Sequence, residues 1–127
     1  MAEDWLDSEA DDMVFVIEHD GVVIGSIQYA EENTPDYRHA GIDLFLTTDA
    51  LGQGPGPDTI RTVARYLIDV RGHHRLTIDP SAANEHAIRA YSKLGFCPVG
   101  VMRRYERGAD GTFHDGLLMD LLADELT

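Results

Sequence analysis

Polar and apolar positions alternate at the period of a strand through much of the first third of the chain. Met13–His19 and Val22–Glu31 flank Asp20-Gly21, a pair that suits the two positive-φ positions of a tight hairpin turn. After a loop at Asn33–Arg38, Ala40–Thr47 reads as a third strand. It has Ile42, Leu44 and Leu46 on one face and Asp43, Phe45 and Thr47 on the other. The period then changes. Ile60, Val63, Ala64, Leu67 and Ile68 recur at helical spacing, predicting a helix over Pro57–Val70 that Gly72 ends. His73–Ile78 returns to a strand stopped by Pro80, and Asn84–Leu94 to a helix capped by Asn84 and stopped by Gly95. Phe96–Arg107 and Phe113–Leu122 close as a hairpin around Ala109-Asp110-Gly111. The predicted class is α/β (α+β), a mixed, mostly antiparallel sheet with flanking helices.

Composition narrows the picture. The 127 residues suit one domain, here 13–127, preceded by an acidic segment, 1–12, read as a frayed stretch or a short helix. No apolar run approaches the ~20 residues that span a bilayer, and no signal-peptide pattern opens the chain, so no membrane partner is expected. A single cysteine, Cys97, forms no internal disulfide, which fits a reducing cytoplasm; within an apolar strand it reads as a core filler. The net charge is −13 and uneven: residues 1–37 hold eleven acids and no Lys or Arg. Nucleic acid is a poor partner for such a field, and a cationic small molecule a better one, although the acids also serve solubility alone.

Four groups of residues carry candidate chemistry. The glycine-rich turn Gly52–Gly56 lies between an apolar strand and a helix start, where N–H groups and the helix dipole favour an anion such as phosphate; it also reads as a plain turn. Asp43 puts a carboxylate in an otherwise apolar strand, which is costly unless it meets water, a cation or a cleft. Tyr91 falls on the inward face of its helix, where it is either core or a buried hydroxyl with a task. Asp79, at a strand end before Pro80, is either a turn former or a cation ligand. The adjacent His73 and His74 would face opposite ways in a strand, and no cluster completes a metal site, so no metal is expected. His114 and Asp115 on the last hairpin are further candidates for lining a pocket.

The loop Gly52–Gly56 together with Asn84…Ala87-Ile88-Arg89…Tyr91…Gly95-Phe96 resembles the GNAT family of N-acetyltransferases over residues 13–122. Within it, Gly41-Ile42-Asp43, Asp79-Pro80 and the tyrosine helix look most like the aminoglycoside 6′-N-acetyltransferase branch. The resemblance implies a GNAT fold and acetyl-CoA as cosubstrate. Gln53, Gly54 and Gly56, with Asp58 and Thr59 at the helix start, would hold its pyrophosphate, although Pro55 offers no N–H and Leu51 stands where many relatives have Arg or Gln. Backbone groups of Phe45 and Leu46 would take the pantetheine arm where two strands splay, and Asn84 would bond it from the other side. Asp43 would receive the acceptor ammonium and relay its proton, Asp79 and Asp115 would bind further amines, and Tyr91 would hand a proton to the leaving thiolate.

Relatives place one strand and two helices before the first hairpin, where this sequence has twelve residues. The resemblance therefore implies an N-terminally shortened fold, either a fragment or a homodimer in which one subunit walls the other's acceptor site. The expected function is acetyl transfer to a primary amine of a polycationic small molecule, aminoglycoside-like. The alternatives are another amine (a siderophore precursor or a peptide N-terminus) and a shortened acyl-CoA-binding or dimerising module without turnover.

Overall fold

The computed structural model describes residues 4–6, 12–19, 22–46 and 55–127, with side chains over 25–44 and 58–127. The Asp20-Gly21 turn, Thr47 and the loop residues Leu51, Gln53 and Gly54 lie outside the described residues. So do the side chains of Phe45, Leu46 and Pro57.

The chain forms strands β1 (Asp4–Leu6), β2 (Asp12–His19), β3 (Val22–Glu32) and β4 (His39–Leu46), then helix α1 (Pro55–Asp69). Strand β5 (Arg75–Ile78), helix α2 (Glu85–Leu94) and strands β6 (Cys97–Arg107) and β7 (Phe113–Leu122) follow. One seven-stranded sheet results, in the order β1-β2-β3-β4-β5-β7-β6. Every neighbouring pair is antiparallel except β4 and β5, which run parallel because α1 carries the chain across between them.

Register decides which side chains share a face. Ile27 lies opposite Leu44 and Tyr29 opposite Ile42. Ile42 in turn pairs with Ile78, and Ile78 with Met119. These residues, with Leu76 and Leu121, form the buried face on which both helices pack. Helix α1 contributes Ile60, Val63, Ala64 and Leu67, spaced to form one stripe, and α2 contributes Tyr91 and Leu94. The opposite face carries Gln28 against Asp43 and Gly41 against Thr77, and there the helices give no cover.

Four expectations change. Asp4–Leu6 is a strand rather than a frayed stretch or helix, because it pairs with the outer edge of β2 and satisfies backbone groups that edge would leave open. Three residues are too few to show a period in sequence. Helix α1 starts two residues early, at Pro55, a residue the first turn accepts because its N–H would have no partner there. His73 and His74 precede β5 rather than belonging to it, His73 buried and His74 exposed. Cys97 is an exposed free thiol at the start of β6, while its neighbour Phe96 takes the core position.

The loop after α1 is tied down by charge. The side chain of Glu31 in β3 is 4% exposed and accepts from His73 Nε2 at 2.6 Å and from Arg71 at 2.9 and 3.1 Å. Arg38 in turn donates to the carbonyls of Arg71 and Gly72. The Arg71 hydrogen bonds, and then those of His73, hold the Glu31 carboxyl below its ordinary value near 4.5. A group depressed in the folded state stabilises fully above its unfolded value and loses that contribution as pH falls through the folded one. Glu31→Gln should therefore cost about 2 kcal/mol at neutral pH. That is less than the ~3–5 kcal/mol of a fully buried pair, because Arg71 is 44% exposed. The variant should also lose less stability than the parent in urea titrations taken from pH 7 to pH 3. Parallel pH slopes would rule the linkage out.

Candidate active site

The three paired residues of β4 and β5 end at Ile42 and Ile78, and beyond them the strands part. Pro80 has no N–H to continue the ladder. Instead the chain leans toward β7: the Pro80 carbonyl accepts from Leu117 N, and Ser81 bridges to Gly116. Residues 43–46 of β4 continue along β3, so among the described residues their other edge has no ladder partner. The result is a wedge open between β4 and the Asp79–Ser81 turn.

Two cavities flank this wedge, one of ≈ 300 Å³ on the helix side and one of ≈ 310 Å³ on the bare face. Asn84, Ala87 and Tyr91 of α2 line the first, and Gln28, Thr77 and Tyr105 line the second. Asp43, Ile78, Asp79 and Glu106 line both and so form the shared wall. No Lys or Arg stands among these lining residues, so every charged side chain on the wall is acidic.

Asp43 is exposed, opposite Gln28, and makes no hydrogen bond or ion pair among the described residues. The cleft meets the cost of placing a carboxylate in an apolar strand. Asp79 is half-buried and accepts from the Tyr105 hydroxyl at 2.6 Å. Burial first, then the Asp43 charge, raises its carboxyl above the usual range, while the Tyr105 donor opposes the rise.

Tyr91 is 8% exposed, edge-on to Phe96 at 6.4 Å between ring centres. Burial, followed by the charges of Asp43 and Asp79, pushes its phenol up to about 12. This bears on the expected proton transfer. A phenol near 10 is already a weaker acid than a thiol near 8.5, and at about 12 the step to a free thiolate runs steeply uphill. What Tyr91 can do is stay protonated and donate a hydrogen bond to negative charge gathering in the cavity.

Asn84 caps α2 through its side-chain oxygen, which accepts from Ala87 N at 3.1 Å, and it also lines the helix-side cavity. The cap does not use its amide NH₂, so the two readings of Asn84 are compatible. The phosphate-cradle residues are less well served. Of the first three positions of α1 only Gly56 carries an N–H, since Pro55 and Pro57 have none. Asp58 is exposed and pairs with Arg61 at 3.0 Å, and Thr59, half-buried, begins the second turn.

Asp115 lines neither of these two cavities; its Oδ1 accepts from Arg104 N at 2.8 Å. His114 belongs to the hairpin tip, where its Nε2 meets Asp110 and Thr112 at 3.0 Å. That contact, with Thr112, holds the Asp110 carboxyl down to about 2. Tyr105 and Glu106, by contrast, reach the cavities without having been singled out in the sequence. Among the described residues, no group of three or more His, Cys, Asp or Glu is arranged to hold a metal ion. No described helix is long and apolar enough to cross a membrane.

Comparison with known proteins bears on this geometry. Over 69 residues, 54% of the chain, it is 36% identical to aminoglycoside N(6')-acetyltransferase type 1 of Klebsiella pneumoniae and to the Serratia marcescens protein of the same name. The same identity relates it to a kanamycin resistance protein of Rhizobium radiobacter. The matched stretch is 33% of the first two proteins and 62% of the third, so the chain spans about a third of the length of the first relatives. A dodecameric spermidine N-acetyltransferase of Vibrio cholerae shares the fold with a TM-score of 0.77 at 20% identity, over 90% of this chain and 66% of that one. A chimera of that bacterial enzyme with hSSAT gives 0.76 at 20% identity, over 90% and 68%. Residues 1–96 match the acetyltransferase (GNAT) family. With a parallel pair that opens into a wedge, a capped tyrosine helix beside it and a family match over most of its length, the chain belongs to the GNAT acetyltransferase family.

Proposed function

We propose that the protein is an acetyl-CoA-dependent N-acetyltransferase acting on a primary amine of a polycationic small molecule, aminoglycoside-like. The observation that carries this reading is the trio of carboxylates on the shared wall, Asp43, Asp79 and Glu106, with the Tyr91 phenol lining one of the two cavities it joins. Acetyl-CoA supplies the acetyl group. The open edge at residues 43–46 offers backbone partners for an extended arm, as an added strand would find them, with Asn84 across the wedge. Sparse N–H groups at the start of α1 leave more of the grip to this edge.

In the reaction the amine nitrogen bonds to the thioester carbonyl carbon and the C–S bond breaks, the electron pair leaving with sulfur. Asp43 holds the acceptor ammonium and passes its proton toward water, and Tyr91 donates a hydrogen bond to the departing sulfur. A homodimer belongs to the same reading, supported by the edge strand β6, where Val99 and Val101 stand exposed. So does a reducing cytoplasm, supported by the free thiol of Cys97.

The test is acetyl-CoA consumption with kanamycin, spermidine and a peptide N-terminus as acceptors. Transfer should favour the polycations, and Tyr91→Phe should lower turnover roughly 10²-fold with CoA affinity unchanged. CoA binding with no transfer to any amine would leave an acyl-CoA-binding module instead.

A further inference from the structure

The β6–β7 hairpin contains a device that acetyl transfer alone does not call for. Met102 pairs with Gly116 and Glu106 with His114, so β6 spends more residues than β7 between the same two rungs. The surplus bulges outward. Arg104 adopts φ 50°, a left-handed conformation that costs a side-chain-bearing residue and persists only where its surroundings enforce it. Here its N–H donates to Asp115 Oδ1 at 2.8 Å.

The bulge turns the next residue back across the hairpin. The Tyr105 ring lies over Gly116, where a Cβ would come within 2.9 Å of Cδ2, so the seat for the ring exists because residue 116 has no side chain. From there the hydroxyl reaches Asp79 Oδ2 at 2.6 Å. Tyr105 is 47% exposed and contributes little to the core. Its placement is therefore better explained by Asp79 than by packing. A carboxylate facing other carboxylates across an open wedge has no reason of its own to keep one orientation; a donor on one oxygen supplies it.

We propose that Tyr105 is a positioning residue for the acceptor: held by the Asp115-braced bulge, it fixes the Asp79 carboxylate in the orientation that receives an acceptor ammonium. The inference rests on the acetyltransferase reading for its ligand class, a polyamine or amino sugar carrying two or more ammonium groups. The groups facing Asp79 are Asp43 from β4, Tyr91 from α2, and Tyr105 and Glu106 from β6. Of these, among the described residues, only the Tyr105 hydroxyl donates a hydrogen bond to the carboxylate, at 2.6 Å. Without it, Asp79 ionises less readily, since burial and the Asp43 charge then lose their main opponent.

The experiment is calorimetric titration of spermidine into the protein saturated with CoA, from pH 5 to pH 8, for the parent, Tyr105→Phe, Asp79→Asn and the double variant. Melting temperatures confirm folding; Tyr105→Phe deletes one oxygen from an exposed ring. Tyr105→Phe should weaken spermidine binding about tenfold, with CoA affinity unchanged, and should move the acid limb of binding to higher pH. Asp79→Asn should abolish that limb, and adding Tyr105→Phe to it should cost nothing more. Unchanged spermidine affinity in Tyr105→Phe, an unmoved acid limb, additive losses in the double variant, or a parent that does not bind spermidine would each overturn the proposal. Acetyl transfer is scored separately, so a protein that binds spermidine through Asp79 and Tyr105 but acetylates nothing sinks only the enzymatic reading.

Discussion

Asp43→Asn is expected to lower turnover of a polycationic amine by roughly 10²–10⁴-fold, with acetyl-CoA affinity within a factor of two. The side chain is nearly isosteric and exposed, so the fold survives. It also lies on the wall that both cavities share, with no protein partner among the described residues to compensate for its loss. A carboxylate is too weak a base to strip a proton from a free ammonium. The work proposed for Asp43 is to hold the ammonium and to take or pass on the proton as the C–N bond forms and the nitrogen acidifies. That argument gives the variant a signature. Residual turnover of Asp43→Asn should rise about tenfold per pH unit toward the pKa of the amine, as free base becomes available in solution, while the parent levels off. A loss of less than threefold, or a variant profile parallel to the parent's, would take the proton path away from Asp43.

Gly95→Val should be the most damaging single change to stability, costing about 4 kcal/mol. Gly95 ends α2 at φ 115°, a conformation that L side chains rarely adopt, and its N–H closes the helix on the Ser92 carbonyl. A Cβ there would run into the Glu125 carbonyl and stand 3.1 Å from Leu121 Cδ1. The obstacle is backbone on one side and core on the other, so the site cannot relax cheaply. Of a total stability of ~5–15 kcal/mol this is a large share, and melting should fall by roughly 10–20 °C. Gly95→Ala should show more than half of the effect. A fall of only a few degrees in Gly95→Val would mean the C-terminal turn does not pack on α2 as described.

Gly95 also shows why much of the fold was legible. Asn84 and Gly95 bracket a helix by local chemistry alone, and the α1 stripe from Ile60 to Leu67 shows its period without help from distant residues. Asp43 and Tyr91 stood out because each was costly or ambiguous where it lay, and the wedge brings the one to the wall and the other to the lining of the same cavity. Tyr105 and Glu106 escaped notice for a different reason. Their direction depends on the register slip between Met102 and Glu106, and an extended run read at regular alternation gives no sign that extra residues sit in one strand. Asp115, singled out as a ligand, turns out to brace that slip. The strand Asp4–Leu6 is set by the open edge of β2, a property of its partner and not of its own three residues.

The brevity of the β4–β5 pairing has a consequence for how the molecule assembles. Strands β1 to β4 follow one another in both sequence and space, and β6 and β7 form a hairpin that β5 joins. Within the two halves, strands β1 to β4 and the β6–β7 hairpin can therefore zip up through contacts between near neighbours, where little loop entropy is lost. Strand β5 is different: its rungs to β7 must be closed across α2 and β6, and the three of the seam, joining Ala40–Ile42 to Leu76–Ile78, across the whole of α1. Asp43 comes from one half, and Asp79, Tyr91 and Glu106 from the other. Neither half holds the candidate site on its own, which forms where the two are stitched together and the stitching stops.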